Sequence, residues 1–63
     1  MTKYHTLLIN EGNGWEIAFG DYDREVVLDE KDEYWHLPAR QLKVITTGDT
    51  QGDIAAKVKQ LNS

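Results

Sequence analysis

YDREVVLDEKDEYWH, residues 22–36, decides the fold, because it reads both as a hairpin and as a helix. A hairpin would pair Val26-Val27-Leu28 with Glu33-Tyr34-Trp35, and Val and Tyr favour strands. The link between them, Asp29-Glu30-Lys31-Asp32, holds no Gly or Asn to turn the chain. Projected at 100° per residue, Val27, Leu28, Lys31, Tyr34 and Trp35 fall within roughly 120°, the i, i+1, i+4, i+7, i+8 stripe of a core-facing helix. Glu25, Asp29 and Asp32 gather on the far side. The segment is therefore predicted to be helix 1. Asp21 or Asp23 caps its start, where the helix dipole also favours acids. It ends before Pro38, whose ring disfavours helix at Leu37.

Upstream, residues 4–11 (YHTLLINE) read as a strand, with His5, Leu7 and Ile9 on one face and Tyr4, Thr6 and Leu8 on the other. Residues 15–19 (WEIAF) form a second strand that points Trp15, Ile17 and Phe19 one way. Glu11-Gly12-Asn13-Gly14 between them supplies the positive φ that a tight hairpin needs. Downstream, a loop at His36–Gln41 precedes a β-branched third strand at residues 42–47 (LKVITT). Gly48-Asp49-Thr50 then opens helix 2, where Asp49 or Thr50 can cap and Thr50 with Asp53 makes a partial capping box. Ile54, Val58 and Leu61 make its apolar stripe, and Asp53 and Lys57 stand at favourable i, i+4 spacing. The order is β-β-α-β-α, an α+β mini-domain. A three-stranded sheet with both helices on one face is the simplest two-layer packing. If helix 1 makes a parallel crossover, that crossover should be right-handed.

Sixty-three residues suit one domain spanning 1–63. A chain of this size buries only about 60% of its unfolded surface. There is no cysteine, so neither a disulfide nor a thiolate zinc site can supplement the core. The composition is 40% hydrophobic, ordinary for a globular chain and unlike disorder. No apolar run, Leu7-Leu8-Ile9 included, exceeds three residues, too short for a secretory leader or a membrane span. A cytoplasmic protein is the expectation.

Seven of the eleven acids fall within residues 21–33, opposed there only by Arg24 and Lys31. That stretch carries −5 of a total charge of −4, so the other fifty residues sum to +1. Such a pole repels nucleic acid and anionic membrane and attracts cations or a basic protein. Asp21, Asp23, Glu25, Asp29 and Asp32 match positions 1, 3, 5, 9 and 12 of a calcium-binding loop, but Val26 stands where that loop requires glycine. Carboxylates opposite an apolar stripe are expected to be solvated, which does not suit acid–base catalysis. His5 and His36 lack metal-ligand spacing, Ser63 is the only serine, and the glycines match no phosphate-binding loop. Arg40, Lys43, Lys57 and Lys59 are too spaced for a nucleic-acid footprint, though they could meet a neighbouring copy's acidic helix.

Thr47-Gly48-Asp49-Thr50 at a strand-to-helix junction, after a hairpin ending in Trp15-Glu16-Ile17-Ala18-Phe19, resembles the small antitoxin domains of the HicB type. The likeness covers a minority of the chain. It departs at the acidic segment between strands 2 and 3 and lacks a proline after the aromatic that follows strand 2. Taken together, the residues point to a non-enzymatic module that binds a protein partner and needs no cofactor or metal. Glu25, Asp29, Asp32, Glu33, Tyr34 and Trp35 are its candidate contact residues, for a partner of basic character. Neither direct nucleic-acid nor membrane binding is expected, and self-association stays open. The alternatives are an acidic antitoxin-like or nucleic-acid-mimicking inhibitor and a weak cation-binding protein. Trp15, Tyr34 and Trp35 suit a core, but so small a domain cannot easily cover all three, and an exposed one would mark an interface.

Overall fold

A computed structural model describes residues 3–63. β1 (Lys3–Asn10) and β2 (Trp15–Asp21) form the expected hairpin. Gly12 and Gly14 both take positive φ, +111° and +101°, and Asn10 Oδ1 accepts the Gly12 amide at 2.9 Å. α1 (Arg24–Asp32) follows, then a single 3₁₀ turn at Ala39–Gln41, β3 (Leu42–Gly48) and α2 (Gln51–Leu61). The strands lie in the order β2-β1-β3, with both neighbours antiparallel to β1. This is the α+β mini-domain that the sequence predicts.

Residues 22–36 are helical only in part. Asp23 caps α1 by accepting the Glu25 amide at 2.9 Å, while Asp21 Oδ1 accepts the Asp23 amide at 2.8 Å. The helix stops at Asp32, and its last amides tighten into i→i+3 bonds, Glu33 to Glu30 and Tyr34 to Lys31, both 3.0 Å. Asp29, Glu30, Asp32 and Glu33 crowd the negative end of the helix dipole, and the aromatics that follow are only moderate helix formers. Tyr34 and Trp35 therefore leave the predicted stripe and sit in a turn.

β2 carries a second difference. Leu8 pairs with Ile17 but Leu7 pairs with Phe19, which leaves Ala18 as an extra residue in a bulge. One added residue reverses the period-two alternation. Trp15 and Ile17 thus share the Leu8 face, whereas Phe19 crosses to the Leu7 face.

The helices also divide the faces of the sheet between them, where one shared face was expected. Leu7 and Leu8 are consecutive on a regular strand, so they point to opposite faces, and both are fully buried. α1 crosses the Leu7 face and brings in Val27, which is also fully buried. α2 runs over the Leu8 face, from the end of β3 to the start of β2. The reason lies in Leu7-Leu8-Ile9, a run apolar on both faces. Helices on one face would leave Leu7 or Leu8 in water, and each such burial stabilises by about 1.5–3 kcal/mol. The molecule measures 34 × 28 × 12 Å. Three strands spaced at ~4.8 Å account for its thin dimension.

α2 is held at its ends. Thr50 Oγ1 accepts the Asp53 amide at 3.1 Å. At the far end the Asn62 side chain brackets Trp15, accepting its amide at 2.6 Å and donating to its carbonyl at 3.1 Å. Ile54, Val58 and Leu61 are only half-buried, and α2 adds no fully buried residue to the core.

Candidate functional site

Glu25, Asp29, Asp32 and Glu33 are all exposed. The first three line the solvent side of α1, a helix of about 13 Å at 1.5 Å per residue. Glu33 caps its C-terminal end, where the helix dipole adds further negative potential. Just beyond, Trp35 is 85% exposed, the most exposed large apolar side chain among the described residues. Its ring meets His36 edge-on, with centroids 6.0 Å apart and planes at 85°. His36 in turn stacks on the half-buried Tyr34 at 6.0 Å and 29°. Along the chain the six predicted contact residues run from exposed carboxylates into Tyr34 and Trp35, which both meet His36.

The other large aromatics differ. Trp15 is half-buried on the Leu8 face, with Lys43 Nζ 5.8 Å from its ring centroid. That contact gives Lys43 an intramolecular role. His5 is half-buried and shares a 2.9 Å hydrogen bond with Thr46.

The calcium-loop spacing at 21–32 becomes a capped helix, which cannot wrap an ion, and Asp21 and Asp23 already accept backbone amides. Among the described residues, no three His, Asp or Glu side chains converge as a metal would require. No described helix is long and apolar enough to cross a membrane.

A concavity elsewhere escaped the sequence reading. Between α2 and the Leu8 face lies an open groove of about 600 Å³. Tyr4, Thr6 and Gly20 form its floor, and Ile54 and Ala55 of α2 form one wall. Ile17, Tyr22, Asp49 and Gln51 line the rest. A Cβ on Gly20 would come within 2.6–2.9 Å of the Tyr4 ring, so this glycine lets Tyr4 lie across the sheet. Tyr22 meets Tyr4 edge-on at 5.0 Å and 83°, and its hydroxyl donates to Asp49 Oδ2 at 3.4 Å. The Asp49 charge is the largest cause holding the Tyr22 phenol above its ordinary pKa of 10.0, followed by burial, the hydrogen bond and Tyr4. The sequence reading ends the second strand at Phe19, so Gly20, which lies within β2 in the structure, gave no advance signal. Its meaning depends on the Ala18 bulge, which sets the face that Gly20 occupies.

No family model, curated protein or solved structure matches the chain. The likeness of Thr47–Thr50 to HicB-type antitoxins stays a local one.

Proposed function

We propose that the protein is a non-catalytic, cytoplasmic binding module that docks a basic protein through the outer face of α1 and the adjoining Trp35. The exposure of Trp35, two residues beyond the exposed Glu33 at the C-terminal end of the acidic helix, carries this reading. A tryptophan in water forgoes burial of 150–250 Å² of surface, a contact that a partner would restore. Tryptophan and its kind are the residues that dominate interfaces, while a surrounding row of charge steers association and selects the partner. Glu25, Asp29 and Asp32 stand at i, i+4 and i+7, so neighbouring pairs repel by a few tenths of a kcal/mol. That arrangement works slightly against the isolated helix and suits a face with another role. The absence of cysteine agrees with a reducing compartment.

The test compares capture of basic proteins from the native cell's lysate by the parent, by Trp35→Ala and by the triple change of Glu25, Asp29 and Asp32 to Gln. Both variants should stay folded, with stability within about 0.5 kcal/mol of the parent or slightly higher for the triple change. Both should lose capture of the same partner. An aromatic-centred contact resists added salt, whereas binding by a nucleic-acid mimic would collapse steeply with ionic strength. Undiminished capture by both variants would refute the proposal.

A further inference from the structure

We infer that the groove between α2 and the Leu8 face is a binding site for an organic ammonium group. It lies across the sheet from the acidic face of α1 and is independent of the function proposed above. Its volume, about 600 Å³, lies within the 300–1,000 Å³ range of small-ligand sites. The lining has the composition that ammonium recognition requires. Tyr4 on the floor and Tyr22 at 83° to it form an aromatic corner. Ring faces attract a cation placed within about 6 Å of the centroid. Asp49, beside Tyr22, supplies the opposite charge. Ile17, Ile54 and Ala55 offer apolar surface to the carbon substituents of the cation.

Charge and packing point the same way. The Tyr22 hydroxyl is the one side-chain donor to Asp49 among the described hydrogen bonds, and at 3.4 Å it is long. A carboxylate accepts up to about four hydrogen bonds, so Asp49 retains capacity for a ligand. The nearby N-terminus of α2 would on its own prefer an anion. Thr50 already caps it, and Asp53 contributes an acid to its first turn, so the local balance favours a cation. Half of Tyr22 and of Ile17 faces solvent, at 56% and 57% exposure, which leaves the mouth of the groove open. Beneath lies Thr6 Oγ1, the one buried side-chain polar atom among the described residues without a hydrogen-bond partner. An unsatisfied buried hydroxyl costs stability without helping the fold, as expected of a floor shaped for a ligand.

Ammonium groups come from free amines and from lysine side chains, and one titration separates the two. Two-dimensional NMR would follow the intact chain with three probes: choline, neohexanol as its neutral carbon isostere, and Nα-acetyl-lysine methylamide. Saturable shifts are expected at Tyr4, Ile17, Tyr22 and Ile54 with choline, the lysine derivative or both. Neohexanol should bind about tenfold more weakly than choline, the loss expected when the charge leaves an aromatic site. Asp49→Asn and Tyr22→Leu, both at exposed positions, should each weaken ammonium binding by a similar factor while leaving the spectrum folded. The tighter of choline and the lysine derivative identifies the source. Equal affinity for neohexanol would reduce the groove to a plain apolar slot and overturn the inference. So would shifts confined to residues 25–33, or the absence of saturable binding by either ammonium probe.

Discussion

The two helices make opposite use of similar sequence patterns. α2 has the cleaner apolar stripe, yet Ile54, Val58 and Leu61 are only half-buried and a groove opens beneath its N-terminal half. α1 is shorter and crowded with acids, yet it places Val27 in the core with no exposed surface. Amphipathic spacing shows which side of a helix turns inward, but not how closely that side approaches the sheet. Closeness depends on what the sheet presents. The Leu7 face offers aliphatic surface to Val27. The Leu8 face presents the bulky Tyr4 ring laid over Gly20, and α2 rides at its side.

The largest effects should separate the helices directly. Val27→Asp puts a charge at a site with no route to water, at a cost of several kcal/mol. A chain of this length has a total stability of about 3–9 kcal/mol at 0.05–0.15 kcal/mol per residue. That variant should lose its cooperative thermal transition. Val58→Asp can turn its carboxylate toward solvent and should melt cooperatively at a lowered midpoint. If Val58→Asp unfolds the chain and Val27→Asp does not, the comparison between the helices is reversed.

A smaller change sharpens the account of the Leu8 face. Gly20→Ala introduces a Cβ that the Tyr4 ring must swing to avoid. Circular dichroism melts should show a loss of about 1 kcal/mol, at the lower end of overpacking costs because the obstacle is a side chain. An unchanged midpoint would mean that Tyr4 does not lie on Gly20.

Hairpin, element order and helix caps were legible in the sequence because local chemistry decides them: Gly12 and Gly14 at the turn, Asp23 and Thr50 at the helix starts. The arrangement in space was less so. Ala18 gives no local sign that it will bulge, so the faces of Ile17 and Phe19 could not be assigned by alternation. Leu7-Leu8-Ile9 did carry a warning that both faces of β1 need cover, and the simplest packing ignored it. The exposed acids of α1 were legible from their projection. The aromatic stack was not, since it arises where the helix ends early. The groove joins residues from β1, β2, β3's exit and α2, and no segment read alone contains it.

The finest effect concerns Tyr22. Because its phenol is held above 10.0 chiefly by Asp49, the neutral form is favoured in the folded chain. The stability this contributes is fully present below pH 10 and is lost as the pH rises through the folded pKa. The phenolate absorbance of Tyr22, taken as the difference between the parent and Tyr22→Phe, should rise above pH 10.0, and Asp49→Asn should return it toward 10.0 and flatten the alkaline decline. A Tyr22 transition that Asp49→Asn leaves unchanged would place Asp49 away from Tyr22.

The most direct test of the docking surface replaces Trp35 with a photo-crosslinking phenylalanine in the native cell and compares it with the same substitution at Ile17, on the other face of the sheet. The account expects one discrete basic protein joined to position 35 and not to position 17, with the adduct lost when Glu25, Asp29 and Asp32 become Gln. Identical adducts from both positions, or an adduct at position 35 that persists in the triple variant, would contradict it.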